Sequence, residues 1–162
     1  MSRSITGSAV RPVVGYAPGA YDLFHVGHLN VLKHAAAHCD RLVVGVVSDE
    51  MLLLTKGRLP VVPLAERLEI VRNLRFVDDV HAEVVPEKID TWREVGFDVL
   101  FKGDDWQGTA KGDRLEAEMA EVGVELRYFP YTMHTSSTIL RKALAAIDAA
   151  EPVGRAARSL TS

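Results

Sequence analysis

The sequence predicts an α/β protein: an open, parallel, five-stranded sheet with helices on both faces. Three observations predict it. Apolar runs of strand length alternate along the chain with segments of three- and four-residue apolar spacing. The run Leu42–Val47 (LVVGVV) is apolar throughout. Both faces of that strand must therefore be covered, as in a parallel sheet between two helical layers. Finally, 162 residues make one domain, long enough to bury about 70% of the surface the unfolded chain exposes.

The elements follow in order. Residues 1–10 are small and polar and read as a flexible leader. Val13–Tyr16 opens the first strand, and a turn is expected over Ala17–Ala20, which holds Pro18 and Gly19. From Val26 the pattern is helical, with Leu29, Leu32, Ala36 and Cys39 on one stripe. After the strand at Leu42–Val47, a loop is expected through Ser48–Arg58. Pro63–Arg75 reads as a helix and Val80–Val85 as a strand. Ile89–Val95 reads as a helix, Asp98–Phe101 as a strand, Arg114–Val122 as a helix and Val124–Phe129 as a strand. The last helix spans Ser136–Ala149, with Ile139, Leu140, Ala143, Leu144 and Ile147 on one face. Residues 152–162 are expected to fray, so that 1–162 form one domain with loose ends.

Composition narrows the function. Hydrophobic residues make up 48% and charged residues 25%, the balance of a globular protein. A net charge of −3 supplies no global positive field, so no nucleic-acid partner is expected. One cysteine, Cys39, excludes an internal disulfide and a multi-cysteine metal site. No apolar run approaches the roughly 20 residues that span a bilayer. No signal-peptide core is visible near the N-terminus. The expectation is a soluble, cytoplasmic protein with no membrane insertion.

In such sheets ligands bind beyond the carboxyl ends of the strands, and the chemistry-bearing motifs here follow strands. Gly19–His28 (GAYDLFHVGH) lies between the first strand and first helix. Gly19 and Gly27 leave room for a ligand to approach the backbone. His25 and His28 stand where unpaired helix N–H groups attract anions. Tyr21, Leu23 and Phe24 also suit a core. A zinc site is the weaker reading, since two histidines lack further ligands. After the second strand come Lys56-Gly57-Arg58 and then Glu66-Arg67. These read either as solvated surface or as a basic clamp on phosphates. After the fourth strand comes Gly103-Asp104-Asp105-Trp106. Its Trp ring suits stacking on a base or a partner subunit, and its Asp side chains suit Mg²⁺ or a nucleoside hydroxyl. After the fifth strand come Tyr131 and then His134-Thr135-Ser136-Ser137-Thr138. Those hydroxyls cap a helix and equally suit a triphosphate tail.

These residues carry a family resemblance. Gly19–His28 resembles the GxFDxxHxGH signature of the cytidylyltransferase-like nucleotidyltransferases, whose HxGH element is shared with class I aminoacyl-tRNA synthetases. Tyr21 replaces the usual Phe. The resemblance runs from about Val13 to Leu144. Lys56-Gly57 and Glu66-Arg67 resemble the family's Lys-Gly-x-x-Pro and Glu-Arg stretches. GDDW at 103–106 resembles the glycerol-3-phosphate cytidylyltransferases more than the adenylyltransferase branches. Residues 131–138 resemble the element RTxGxSTT, with Tyr131 where the family has Arg and His134 where Gly is common.

The resemblance implies a Rossmann-like nucleotidyltransferase fold and transfer of CMP from CTP to a phosphorylated alcohol such as glycerol 3-phosphate, with release of pyrophosphate. Catalysis falls to His25, His28 and Lys56. Nucleotide contacts fall to Gly19, Ala20, Tyr21, Asp22 and Gly27, to Gly103, Asp104, Asp105 and Trp106, and to Thr135, Ser136, Ser137 and Thr138. Acceptor contacts fall to Arg58, Tyr131 and His134. Mg²⁺ accompanies the triphosphate, with Asp22 as its candidate anchor, and a homodimer is expected. The missing guanidinium at Tyr131 leaves Lys56, Arg58 or His134 to compensate. Rival readings are an adenylyltransferase acting on a flavin, pantetheine or sugar phosphate, and a non-catalytic nucleotide-binding module.

Overall fold

The computed structural model describes residues 10–130 and 135–150. Its elements are β1 (Val14–Gly19), α1 (Val26–Ala36), β2 (Arg41–Val47), α2 (Asp49–Lys56), α3 (Leu64–Arg72), β3 (Asp79–Glu83), α4 (Lys88–Val95), β4 (Val99–Gly103), a 3₁₀ turn (Asp104–Trp106), α5 (Ala110–Glu121), β5 (Glu125–Phe129) and α6 (Ser137–Ala150). The five strands form one sheet in the order β3-β2-β1-β4-β5, and every pairing is parallel. The predicted fold class is the observed one.

Alternation along the strands divides the core in two. Ala17, Val44, Val46 and Phe101 meet Leu32 and Ala35 of α1 and Val71 of α3 on one face. Tyr16, Val43 and Leu100 meet Leu115 and Met119 of α5 on the other, with Ile89 and Trp92 of α4 against them. Each large side chain so buried contributes about 1.5–3 kcal/mol. Growth of the sheet runs outward from β1 to β2 and β3, then reverses to β4 on β1's other edge. The crevice at that reversal, above the carboxyl ends of β1 and β4, is where this architecture places ligands.

Several local expectations change. The Ala17–Gly19 stretch is the end of β1 rather than a turn, because its backbone stays in register with Val44–Val46 of β2. The expected loop after β2 contains helix α2. Ser48 caps it, its Oγ accepting from the Met51 N–H at 3.2 Å, and Met51 and Leu52 are buried. Helix α5 starts at Ala110, not Arg114, because Thr109 Oγ1 accepts from the Gly112 N–H at 3.0 Å. Cys39 lies beyond the end of α1, packed against the α1 face of the core. Tyr131 and His134 lie outside the described residues, as do the expected tail and all but Val10 of the expected leader. Among the described residues no helix is long and apolar enough to cross a membrane.

Candidate active site

The β1–α1 turn is held in an unusual backbone path. Tyr21 and Leu23 have φ of 51° and 50°, a left-handed conformation that costs a non-glycine residue about 1–2 kcal/mol. Contacts from four directions hold it there. Tyr21 Oη donates to Ala17 O at 2.9 Å. Ala20 O accepts from Arg67 Nη1 at 2.5 Å. The buried Asp22 carboxylate accepts from the Val61 and Val62 N–H groups at 3.0 and 2.9 Å. Asp22 O accepts from Ser137 Oγ at 2.6 Å. Gly19 is small for an internal reason: a Cβ there would stand 2.9 Å from the Tyr21 ring.

The turn delivers two imidazoles to the mouth of α1. His25 is the N-cap, and its Nδ1 accepts from the Gly27 N–H at 3.0 Å. His28 Nδ1 accepts from the His25 N–H at 3.3 Å. The ring centroids are 4.0 Å apart. A neutral imidazole that accepts at Nδ1 carries its proton on Nε2. Both rings are therefore Nε2–H donors, and among the described residues neither Nε2 has a hydrogen-bond partner. Neutrality follows from the surroundings. Burial pushes the His28 ring down to about 4, with His25 and Lys56 adding to the shift and Asp22 opposing it. Burial lowers His25 as well. Tyr21 stands edge-on behind His28, with ring centroids 5.4 Å apart, so it braces that ring.

Beside this mouth lies a shallow, open cleft lined by Ala20, Asp22, Leu52, Lys56, Arg58, Leu59, Pro60 and Arg141. Three cations surround one carboxylate. Burial, Arg58 and Arg141 lower the Lys56 ammonium, against Asp105 and Asp22. Arg141 was not foreseen. Its Nη1 lies 3.4 Å from Asp22 Oδ2 and its Nη2 3.2 Å from Thr138 Oγ1. The signal was there in its helical spacing, three and four residues after Thr138 and Ser137. The start of α6 joins the same centre: Ser136 Oγ accepts from the Ile139 N–H at 3.2 Å, and Ser137 reaches Asp22.

Asp22 does not fit as an anchor for Mg²⁺. Each carboxylate oxygen already accepts a backbone N–H, and a guanidinium stands against Oδ2. Among the described residues no three His, Cys, Asp or Glu side chains gather as a metal site. Arg67, half of the expected Glu66-Arg67 clamp, is fully buried and structural. It donates to the carbonyls of Ala20, Val47 and Val62 and pairs with Asp49 at 2.5 Å. After β4, Asp104 and Asp105 are exposed, and Asp105 lies within electrostatic reach of Lys56. Trp106 is partly buried in the α4/α5 core, and Lys102 Nζ lies 4.0 Å from its ring centroid. A lysine ammonium therefore already stands over that ring.

A strand-order reversal, a helix mouth bearing two neutral imidazole donors and an adjoining cationic cleft are features that suit an anionic ligand in an α/β protein. The cytidylyltransferase-like family model matches residues 16–143, and the chain belongs to that family. An ethanolamine-phosphate cytidylyltransferase of Arabidopsis thaliana is 41% identical over 59% of this chain and 24% of its own length. A bifunctional protein HldE of Hyphomonas neptunium is 35% identical over 67% of this chain and 23% of its own length. The chain thus spans about a quarter of those two relatives. An FAD synthase of Pyrococcus abyssi is 34% identical over 75% of this chain and 81% of its own length. Among solved structures, a lipopolysaccharide core biosynthesis protein of Thermoplasma volcanium superposes with a TM-score of 0.65, covering 77% of this chain and all of its own. At 24% identity that likeness shows the fold alone.

Proposed function

We propose that this chain transfers a cytidylyl group from CTP to a phosphorylated small alcohol such as glycerol 3-phosphate and releases pyrophosphate. The observation that carries this reading is the histidine pair: two imidazoles whose Nδ1 atoms are held by backbone N–H groups, leaving two Nε2–H donors at a helix mouth. An acceptor phosphate oxygen attacks the α-phosphorus, the bond to the bridging oxygen breaks, and pyrophosphate leaves with the electron pair. The two Nε2–H groups donate to the α-phosphate oxygens as charge builds there. One such donor contributes about 10²–10³ in turnover. Lys56 and Arg141, with the Ser136 and Thr138 hydroxyls, hold the departing phosphates, while Ser137 ties α6 to Asp22. Arg141 takes the place of the guanidinium that the motif lacks at Tyr131. The rest is positioning, and no enzyme nucleophile is needed. Mg²⁺ brought with the triphosphate would offset phosphate charge, and no residue of the described site would be needed to hold it.

Support for cytidylyl transfer comes from the Arabidopsis relative, whose name gives a phosphorylated alcohol as acceptor, and from the Gly103–Trp106 motif. The FAD synthase relative, matched over 81% of its length, supports adenylyl transfer as the second reading. Pyrophosphate release measured with four nucleotides against a panel of phosphorylated polyols separates them. Preference for CTP supports the first reading. Preference for ATP moves the assignment to the second, and nucleotide binding without product leaves a regulatory module. A cytoplasmic homodimer belongs to the same reading, and light scattering tests the dimer.

A further inference from the structure

Across the sheet from the cationic cleft, a second cationic group stands at the carboxyl end of β4. Lys102 lies two residues beyond Leu100, which pairs with Tyr16 of β1. It therefore projects onto the α4/α5 face, beside the strand-order reversal. Its Nζ rests 4.0 Å from the Trp106 ring centroid, and Lys111 of α5 lies 5.5 Å from the same centroid. The buried carboxylate nearest in charge, Glu83 at the end of β3, is already engaged. Its Oε1 accepts from Lys88 Nζ at 2.9 Å and from Tyr16 Oη at 3.1 Å. Among the described residues none of the ion pairs within 4.0 Å includes Lys102, and Glu83 and Asp105 act on it from farther away.

A half-buried ammonium compensated by a ring face but by no directly paired carboxylate is incompletely neutralised. It persists at a binding site because a ligand supplies the opposite charge. We propose that Lys102, propped on Trp106, binds the phosphomonoester of the acceptor as it enters from the α4/α5 face. The inference rests on the transferase reading, in which Lys56 and Arg141 attend the departing phosphates from the other side. In-line displacement needs the attacking phosphate opposite the departing pyrophosphate, and the two cationic groups divide accordingly. Charge around Lys102 supports the assignment. Burial and Lys88 lower its ammonium to about 8, Glu83 and Asp105 oppose the shift, and Lys56 adds to it.

The test compares wild type with Lys102→Met, which keeps length and removes charge, and Lys102→Arg, which keeps charge. With CTP and glycerol 3-phosphate, Lys102→Met is expected to raise the acceptor KM at least tenfold. The CTP KM should stay within about twofold, and Lys102→Arg should recover part of the loss. Wild-type kcat/KM for the acceptor should fall as pH rises through about 8, a limb missing from Lys102→Met. A raised CTP KM with an unchanged acceptor KM overturns the proposal, as do two unchanged constants. If no nucleotide and acceptor pair turns over, the transferase reading itself has failed, and trace acetylation of lysines decides the phosphate site. Protection of Lys102, but not exposed Lys33, by glycerol 3-phosphate or inorganic phosphate supports it; equal labelling overturns it.

Discussion

Ser137 donates its hydroxyl hydrogen to the backbone carbonyl of Asp22 at 2.6 Å, across 115 residues of sequence. That bond joins the first site segment, after β1, to the last, at the start of α6. The Asp22 side chain makes the second join, taking the Val61 and Val62 N–H groups from the loop before α3. Asp22 is the hub of the site, and its surroundings are donors rather than cations' ligands.

The first prediction concerns that hub. Asp22→Asn turns an amide NH₂ toward a backbone N–H and removes the charge facing Arg141. Leaving such a buried donor unsatisfied costs roughly 1–3 kcal/mol, read as a lowered urea midpoint. Nucleotide KM should rise with it, and raising Mg²⁺ should not restore activity. Recovery at high Mg²⁺ would restore Asp22 to the role of metal anchor.

Arg67 carries the second. Its guanidinium is fully buried and holds three carbonyls, from the β1–α1 turn, the end of β2 and the loop before α3, with Asp49 as counter-ion. Arg67→Met strands Asp49 and those carbonyls, and breaking a buried pair costs roughly 3–5 kcal/mol. Chemical denaturation should show a loss of that order. A stability change under about 1 kcal/mol would contradict the hub role.

Turnover gives the third. His28→Ala removes one donor to the α-phosphate and should lower kcat by about 10²–10³ with the circular dichroism spectrum retained. Activity near wild type would take His28 out of the mechanism.

The fourth is a pH dependence. His28 is held down to about 4 in the fold against about 6.5 unfolded. Between those values the unfolded chain binds the extra proton, so stability rises with pH across the window and falls as pH drops toward 4. Denaturant midpoints at several pH values should show a steeper acid loss in wild type than in His28→Asn. Parallel profiles would contradict the buried, neutral ring.

Much of this was legible in the sequence, for physical reasons. Leu42–Val47 announced a covered parallel strand because every side chain in it is apolar. His25, Gly27 and His28 announced a helix mouth because their spacing fits one turn. Helix α2 was missed because its eight residues carry a narrow stripe, with Leu53 and Leu54 exposed beside buried Met51 and Leu52. Its punctuation was present in Ser48 and in Gly57, whose φ of 67° closes the helix. Arg67 was misread and Arg141 passed over because charge reads as surface, and only tertiary contacts reveal where a guanidinium ends. Trp106 read as a stacking platform because nothing local shows that Lys102, four residues earlier, lies over its ring.

The central claim is that two neutral imidazoles present Nε2–H to the nucleotide's α-phosphate. Long-range ¹H–¹⁵N correlation of the histidine rings at neutral pH tests it most directly. The account predicts Nε2–H tautomers for both His25 and His28, and displaced Nε2 resonances when CTP with Mg²⁺ is added. Protons on Nδ1, or Nε2 resonances indifferent to saturating CTP and ATP alike, would contradict it.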